Sequence, residues 1–395
     1  MSKPEFIALL AMMMASIAFS IDAMLPALPQ IGAELSPDAP QHAPLILSFF
    51  LFGMGAGTFF TGPLSDAFGR KPVILVFALI FITGALIAWI SPSLEMVLAG
   101  RVLQGLGAAG PRVVSMALVR DRFSGRQMAR IVSVVMMIFT LVPAVAPLIG
   151  AYLIAWTGWR GIFLAFVTFT VIYLVWMLTR LPETLPKANR RPLRLSLLVA
   201  AVGEMMRHRV VALSIVVQTL VSAMLFLTLM LVQPIYDTVY GRADEFPFWF
   251  CVIALLAGLA NLLNALLVVR LGMQRLVMWT LGAQIVLSGS FVLFGLGDTA
   301  YGFYFFVFFQ TCIFFQAGLT IGNLNAIAME PMGHIAGMAA SVMGAISTVG
   351  AVLISGPIGT WFPQDHHTLA ITFVVLASLG FGAMRMVAWA SESNG

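Results

Sequence analysis

Apolar runs about 20 residues long, separated by short clusters of Gly, Pro and charge, recur along the whole chain. A helix needs about 20 such residues to cross a hydrocarbon core of ~30 Å. The pattern predicts spans near 6–28, 43–64, 73–90, 96–119, 131–154 and 161–178. Beyond a polar connector it predicts six more, near 210–233, 247–269, 276–296, 302–328, 338–362 and 369–388. Only helices and closed barrels satisfy every backbone group in lipid. Barrel strands alternate apolar and polar over about 10 residues, a period these runs lack. The expected fold is therefore all-α, with twelve transmembrane helices in two six-helix halves, 1–180 and 210–395. The cytoplasmic connector, 181–209, mixes Leu, Val and Met with basic residues over 194–209. That mixture suits a helix lying on an anionic leaflet, with a plain tether as the alternative.

Composition agrees with lipid as the solvent. The chain is 61% hydrophobic and 9% charged, with mean hydropathy +1.00, where a soluble domain carries roughly 25% charge. The net charge of +5 suggests nucleic acid only until the charges are placed. Lys3, Arg70, Lys71, the four arginines from Arg120 to Arg130, the connector residues from Arg180 to Arg209, Arg270, Arg275 and Arg385 occupy one set of connections. The opposite set holds Arg160 and Arg242. By the positive-inside rule both termini and the connector face the cytoplasm. The expected location is thus a bacterial inner membrane, with lipid and not nucleic acid as the surrounding partner. Lys3 and Glu5 precede the first run as in a signal peptide, but Asp22 interrupts it and no small-residue cleavage site follows, so it reads as a retained span. Cys251 and Cys312 both lie in apolar runs, so neither a disulfide framework nor a metal site is indicated. The histidines, His42, His208, His334, His366 and His367, fall in or beside loops, which leaves no paired catalytic groups for a membrane-embedded enzyme.

Three charges lie deep in the predicted spans: Asp22, Arg101 and Arg112. A charge at the centre of a span costs about 2.5–3.5 kcal/mol by insertion scales, so each should face the interior and find a partner. A carboxyl at Asp22 stands between burial, which favours its neutral form, and a neighbouring arginine, which favours its charged form. A group so placed can load a proton on one side and release it on the other; helix-end packing is the other reading. Arg101 is its expected electrostatic counterweight, or else a structural arginine tying helices together. Arg112 follows about three turns later on the same helix. Pairing with a carboxylate, binding an anionic substrate group and snorkelling to the cytoplasmic end are equally open for it.

Other motifs carry mechanical readings. In Gly62-Pro63-Leu64-Ser65-Asp66-Ala67-Phe68-Gly69-Arg70-Lys71-Pro72, glycine permits a tight turn and Asp66 can pair with Arg70 or with a charge on a neighbouring helix, latching one conformation. Asp121, at the cytoplasmic end of the fourth span, belongs to the same latch. Pro143 and Pro147 remove intrahelical hydrogen bonds and bend the fifth span, and Gly150 should permit close packing on the opposite half. Gly69 is echoed by Gly272, and Ala146-Pro147-Leu148-Ile149-Gly150 by Gly356-Pro357-Ile358-Gly359, as in a parallel six-span repeat. Met24, Phe49, Phe50, Arg112, Gln218, Gln233, Asn261, Asn264, Gln310 and Asn323 are candidate substrate-cavity side chains, since apolar walls with a few polar groups suit amphiphilic ligands.

The 62–72 loop resembles the loop motif of the major facilitator superfamily, and Arg101-Val102-Leu103-Gln104-Gly105 resembles that family's R-x-x-Q-G motif. That likeness implies a role in proton coupling for Arg101 and Gln104. The stretch Asp22-Ala23-Met24-Leu25-Pro26-Ala27-Leu28-Pro29 is similar to a segment of the bicyclomycin/chloramphenicol-resistance (Bcr/CflA-type) twelve-span drug:proton antiporters, with Met24 where they usually carry tyrosine. The 143–150 segment resembles the antiporter Pro/Gly motif. Arg120-Asp121, Trp159-Arg160-Gly161 and Leu181-Pro182-Glu183-Thr184-Leu185 extend the likeness, as does 322–341. The resemblance implies a secondary transporter that exports small lipophilic or amphiphilic drug-like compounds by alternating access in exchange for protons. It would use a proton gradient and no cofactor or metal, and act as a monomer. The alternative is a facilitator exporting or importing a physiological metabolite or osmolyte.

Overall fold

A chain apolar on every side can hide its backbone from lipid only by bonding within each segment, and the described residues are helical almost throughout. A computed structural model describes residues 1–190, 192–193 and 195–392. Arg191 and Arg194 of the predicted connector, and the last three residues of the predicted second half, lie outside the described residues.

The helices cluster into two compact units, Met1–Leu195 and Ser196–Gly395. The first contains α1 (Lys3–Asp22), α2 (Leu28–Leu35), α3 (Leu45–Phe68), α4 (Arg70–Trp89), α5 (Leu94–Arg122) and α6 (Gly125–Arg180). A 13-residue helix, α7 (Leu195–Arg207), follows the connector. The second unit continues with α8 (Arg209–Pro234), α9 (Phe246–Leu271), α10 (Met273–Leu293), α11 (Gly302–Met329), α12 (Ala336–Trp361) and α13 (His366–Glu392).

Among the described residues, ten continuous runs are long and apolar enough to cross a membrane. Two of these are of double length. The run Gly125–Arg180 is broken at Gly158, whose φ of 69° and ψ of 174° are not helical. The run Gly302–Trp361 is broken by the 3-10 turn Glu330–Ile335 between α11 and α12. Divided at those breaks, the runs are consistent with twelve spans. The first span is longer than its apolar run, because a 3-10 turn at Leu25–Ala27 carries α1 directly into α2.

Within the first unit α5 packs between α3 and α4, and α6 packs along α1 and α4. Small residues set these distances: a Cβ on Gly105 would be driven into the Phe50 carbonyl oxygen of α3. Backbones this close gain dispersion and dipole contacts without help from the hydrophobic effect, which is absent between helices in lipid. In the second unit α8 is central, against α11, α12 and α13, while α10 packs on α11 and α13.

Candidate functional site

The first cluster forms where α1 ends. Arg101, on α5, is fully buried. Its Nη2 donates to the Ser20 carbonyl (3.0 Å), its Nε to the Ile46 carbonyl (3.2 Å), and its Nη1 to Gln104 Oε1 (3.0 Å). The guanidinium also lies 4.3 Å from the Phe50 ring centroid. Ser20 is in the last turn of α1, where carbonyls have no intrahelical partner and a cation is favoured. Arg101 therefore caps α1 from a neighbouring helix. Asp22, the last residue of α1, is buried at 5% exposure and has no ion pair among the described residues. The expected Asp22–Arg101 pairing is thus corrected among the described residues: no ion pair joins them, and three of the arginine's N–H groups go to carbonyls and Gln104. Those partners leave Gln104 Nε2 without a hydrogen bond.

Gly150 meets the same cluster. A Cβ there would be driven into the Ala23 carbonyl oxygen, next to Asp22. The surface nearest it is α1's end, in its own unit. Pro143 and Pro147 lie inside α6, about two turns and one turn earlier.

The second cluster is the predicted latch, and here the predicted residues converge. Gly69, at φ 101° and ψ 162°, ends α3 and begins α4. Arg70 is buried and bonds Asp66 Oδ1 (2.6 Å), Asp121 Oδ2 (2.9 Å) and Ser65 Oγ (2.8 Å), the last of which donates onward to the Gly62 carbonyl. Lys71 donates to the Leu178 carbonyl. Two further members were not selected from the sequence. Glu183 accepts from the backbone N–H groups of Arg70 and Lys71, both at 3.0 Å, satisfying the orphan donors at the start of α4. Thr184 donates to Asp121 Oδ2 at 2.7 Å. The Leu181–Leu185 motif was the available signal, but nothing in its spacing points to a helix start more than a hundred residues earlier.

At the opposite end of this unit Glu34 accepts from Trp159 Nε1 (2.7 Å) and Arg160, while Arg160 also donates to the Ser91 carbonyl. This second knot holds α2 against the break at Gly158.

The cavity candidates fall in both units. Met24 and Phe50 are fully enclosed within the first unit, so no ligand reaches them in this conformation; Phe50 instead underlies Arg101. Phe49, one position along the helix, points elsewhere and is exposed. Arg112 has no ion pair among the described residues; its Nη1 donates to Met54 Sδ at 3.5 Å. In the second unit Asn323 donates to Asn264 Oδ1 (2.7 Å), and Asn261 is exposed. Tyr236 donates to Gln310 Oε1 (3.2 Å), and Gln233 is buried. Gln218 Oε1, Gln310 Nε2 and Gln316 Oε1, on α8 and α11, are buried without hydrogen-bond partners among the described residues. Gln316 and Tyr236 were not foreseen from the sequence.

Apolar helices of this number, with buried charges that hold helix ends, define a multi-pass membrane protein. Residues 8–355 match the family model described as Major Facilitator Superfamily, and the chain belongs to that family. It is similar to a bicyclomycin resistance protein homolog of Haemophilus influenzae, at 30% identity over 89% of this chain and 88% of that protein. It is also similar to the multidrug resistance protein MdtL of Escherichia fergusonii, at 35% identity over 42% of this chain and 43% of the relative. Among solved structures, the xylose transporter XylE from E. coli, in a partially occluded inward open conformation, superposes with a TM-score of 0.70. That match covers 98% of both chains at 13% identity, a likeness of fold alone.

Proposed function

We propose that this chain is a proton-coupled exporter of small lipophilic or amphiphilic drug-like compounds, working by alternating access in a bacterial inner membrane. The observation that carries the reading is Asp22: a buried carboxyl at the end of α1 with no ion pair among the described residues. An acid not committed to a cation is available to carry a proton. Arg101 and Gln104 act in this reading as positioning residues, since they hold the helix end that presents Asp22. Drug export is supported by the name of the bicyclomycin resistance relative, matched over 89% of this chain, and of MdtL, matched over 42%; a cytoplasmic position for both termini is supported by the Lys/Arg asymmetry. Each half then contributes to a monomeric carrier with the connector, 181–209, as their link, the Asp66–Arg70–Asp121 network as a latch on one conformation, and the Pro143–Pro147 bend as a seal against uncoupled leak. Arg112, Gln218, Gln310 and Asn323 are the polar groups we assign to substrate.

A proton moving inward gains about 2.3 kcal/mol per 100 mV before any pH gradient. With one acid of this kind, 1:1 exchange for a neutral compound is electrogenic. The test is export of bicyclomycin and chloramphenicol in proteoliposomes with an imposed proton gradient. Asp22→Asn should abolish gradient-driven transport of either compound while leaving its binding intact. Proton-driven export that persists in that variant would overturn the assignment. Equal counterflow with and without a gradient in the unaltered protein would instead favour a facilitator.

A further inference from the structure

We propose that Asp298, His366 and His367 form a binding site for a divalent first-row transition metal, with Zn2+ the ion best matched by two imidazoles and a carboxylate. Asp298 closes the 3-10 turn Leu296–Asp298 after α10, and the histidines are the first two residues of α13. The three meet at the end of the second unit away from Gly272. His367 Nε2 lies 3.0 Å from Asp298 Oδ2, and His366 Nε2 lies 3.3 Å from Oδ1. One ligand atom from each residue falls within 4.8 Å of the other two. Around a tetrahedral ion with bonds of about 2.0–2.1 Å, neighbouring ligand atoms stand about 3.3 Å apart. The two imidazoles approach different oxygens of Asp298, so with one atom from each residue the triangle is wider than an ion needs, and half-exposed His367 can rotate to close it. Three protein ligands leave a fourth position for water or another donor.

A plain ion pair accounts for this cluster poorly. His366 is 97% buried, yet neither ring nitrogen has an aligned hydrogen-bond partner among the described residues, despite the nearby carboxylate. A buried polar group left in that state is costly unless something else satisfies it. The ring is also held in place. Tyr240 stacks on it with centroids 5.8 Å apart and planes 21° apart, and Phe291 meets it edge-on at 5.8 Å. Gly297 lies so close that a Cβ would be driven into the imidazole. The Tyr240 hydroxyl reaches the Gly297 and Gly302 carbonyls, at 3.3 and 3.4 Å, fixing the turn that carries Asp298. The adjacent Asp365 is engaged elsewhere, capping α13 through the Thr368 N–H at 2.7 Å. Outer contacts that orient a ring before the metal arrives are what a ligand set of this kind needs. Bound metal would clamp the α10–α11 turn to the start of α13.

The full chain, purified in detergent with an affinity tag that contains no histidine, is titrated with ZnCl2 by calorimetry. Co2+ is added in parallel and its visible absorption recorded. Saturable binding of one Zn2+ per chain is expected, with a melting temperature raised by Zn2+ and restored by EDTA. Asp298→Asn and His367→Gln should each weaken binding at least about tenfold, and His367→Gln alters a half-exposed side chain, so it should fold. His334→Gln, which removes the exposed partner of Glu204, should bind as the unaltered protein does. Absence of saturable Zn2+ binding, its retention in both the Asp298 and His367 variants, or an equal loss in the His334 variant would overturn the proposal.

Discussion

Gly69 and Gly272 make the same turn in the two units and are surrounded by different chemistry. Each ends one helix and begins the next with positive φ, at 101° and 78°, and with ψ of 162° and 156°. Around Gly69, Arg70 bridges Asp66 and Asp121, and Glu183 receives the first N–H groups of α4. At the matching distances from Gly272 stand Val269 and Met273, and among the described residues no ion pair crosses that turn. A Cβ on Gly272 would meet nothing within 4 Å, while one on Gly69 would lie 2.8 Å from both Glu183 Oε2 and Arg190 Nη2. The turn itself therefore needs only the glycine. The ionic network is an addition to the first unit, and it costs desolvation that the second unit avoids.

The largest effect should come from breaking that addition. Arg70→Ala leaves Asp121, 15% exposed, without its cation, and removing one member of a buried pair costs about 3–5 kcal/mol. The half-exposed Asp66 contributes little of this, since exposed pairs are worth about 1 kcal/mol or less. A large fall in melting temperature in detergent is expected for Arg70→Ala, with Asp66→Asn close to the unaltered protein. An unchanged melting temperature in the Arg70 variant would mean that the network sits on the turn without holding it.

The glycines sharpen the contrast. Alanine at either position is forced into a backbone region that side chains rarely adopt, at about 1–3 kcal/mol. That strain is common to both variants. Gly69→Ala must in addition displace the Glu183 carboxylate, and with it two charge-assisted bonds to α4. Gly69→Ala should thus melt measurably below Gly272→Ala. Equal losses would show that Glu183 can move aside freely and caps nothing of consequence.

Much of this frame was legible in the sequence, and what was missed has a common cause. Hydropathy marks spans because each span's solvent is set by its own residues, so the helices and the break near Gly158 could be read locally. The Gly69 turn and the Arg70–Asp66 contact are also local, four residues apart. Arg101 was legible as a buried charge needing partners, but two of those partners are the backbone carbonyls of Ser20 and Ile46. Every residue has a carbonyl, so no residue type announces them. Glu183, Gln316 and the Asp298–His366–His367 cluster depend on tertiary placement in the same way. Gly150 was legible as a close contact without its partner, since a missing Cβ records that something approaches but not what.

That last glycine gives the finest comparison of the two units. Gly150, on α6, approaches the Ala23 carbonyl at the end of α1, and Gly359, on α12, approaches Met230 on α8. A Cβ at 359 would lie 2.7 Å from Met230 Cε and 3.3 Å from its Sδ, the far end of a flexible thioether that can repack. A Cβ at 150 would strike backbone, which can yield only if α1 and α6 separate. Overpacking of that kind costs typically about 1–3 kcal/mol. Both substitutions also gain about 1 kcal/mol of helix propensity. Gly359→Ala should therefore melt at or slightly above the unaltered protein, and Gly150→Ala below it. The displaced carbonyl adjoins Asp22, so Gly150→Ala should also reduce proton-driven export more than its loss of stability accounts for, while Gly359→Ala leaves export unchanged. If both variants melt alike, α1 and α6 are free to part at this point, and the tight seat we assign to Asp22 is not there.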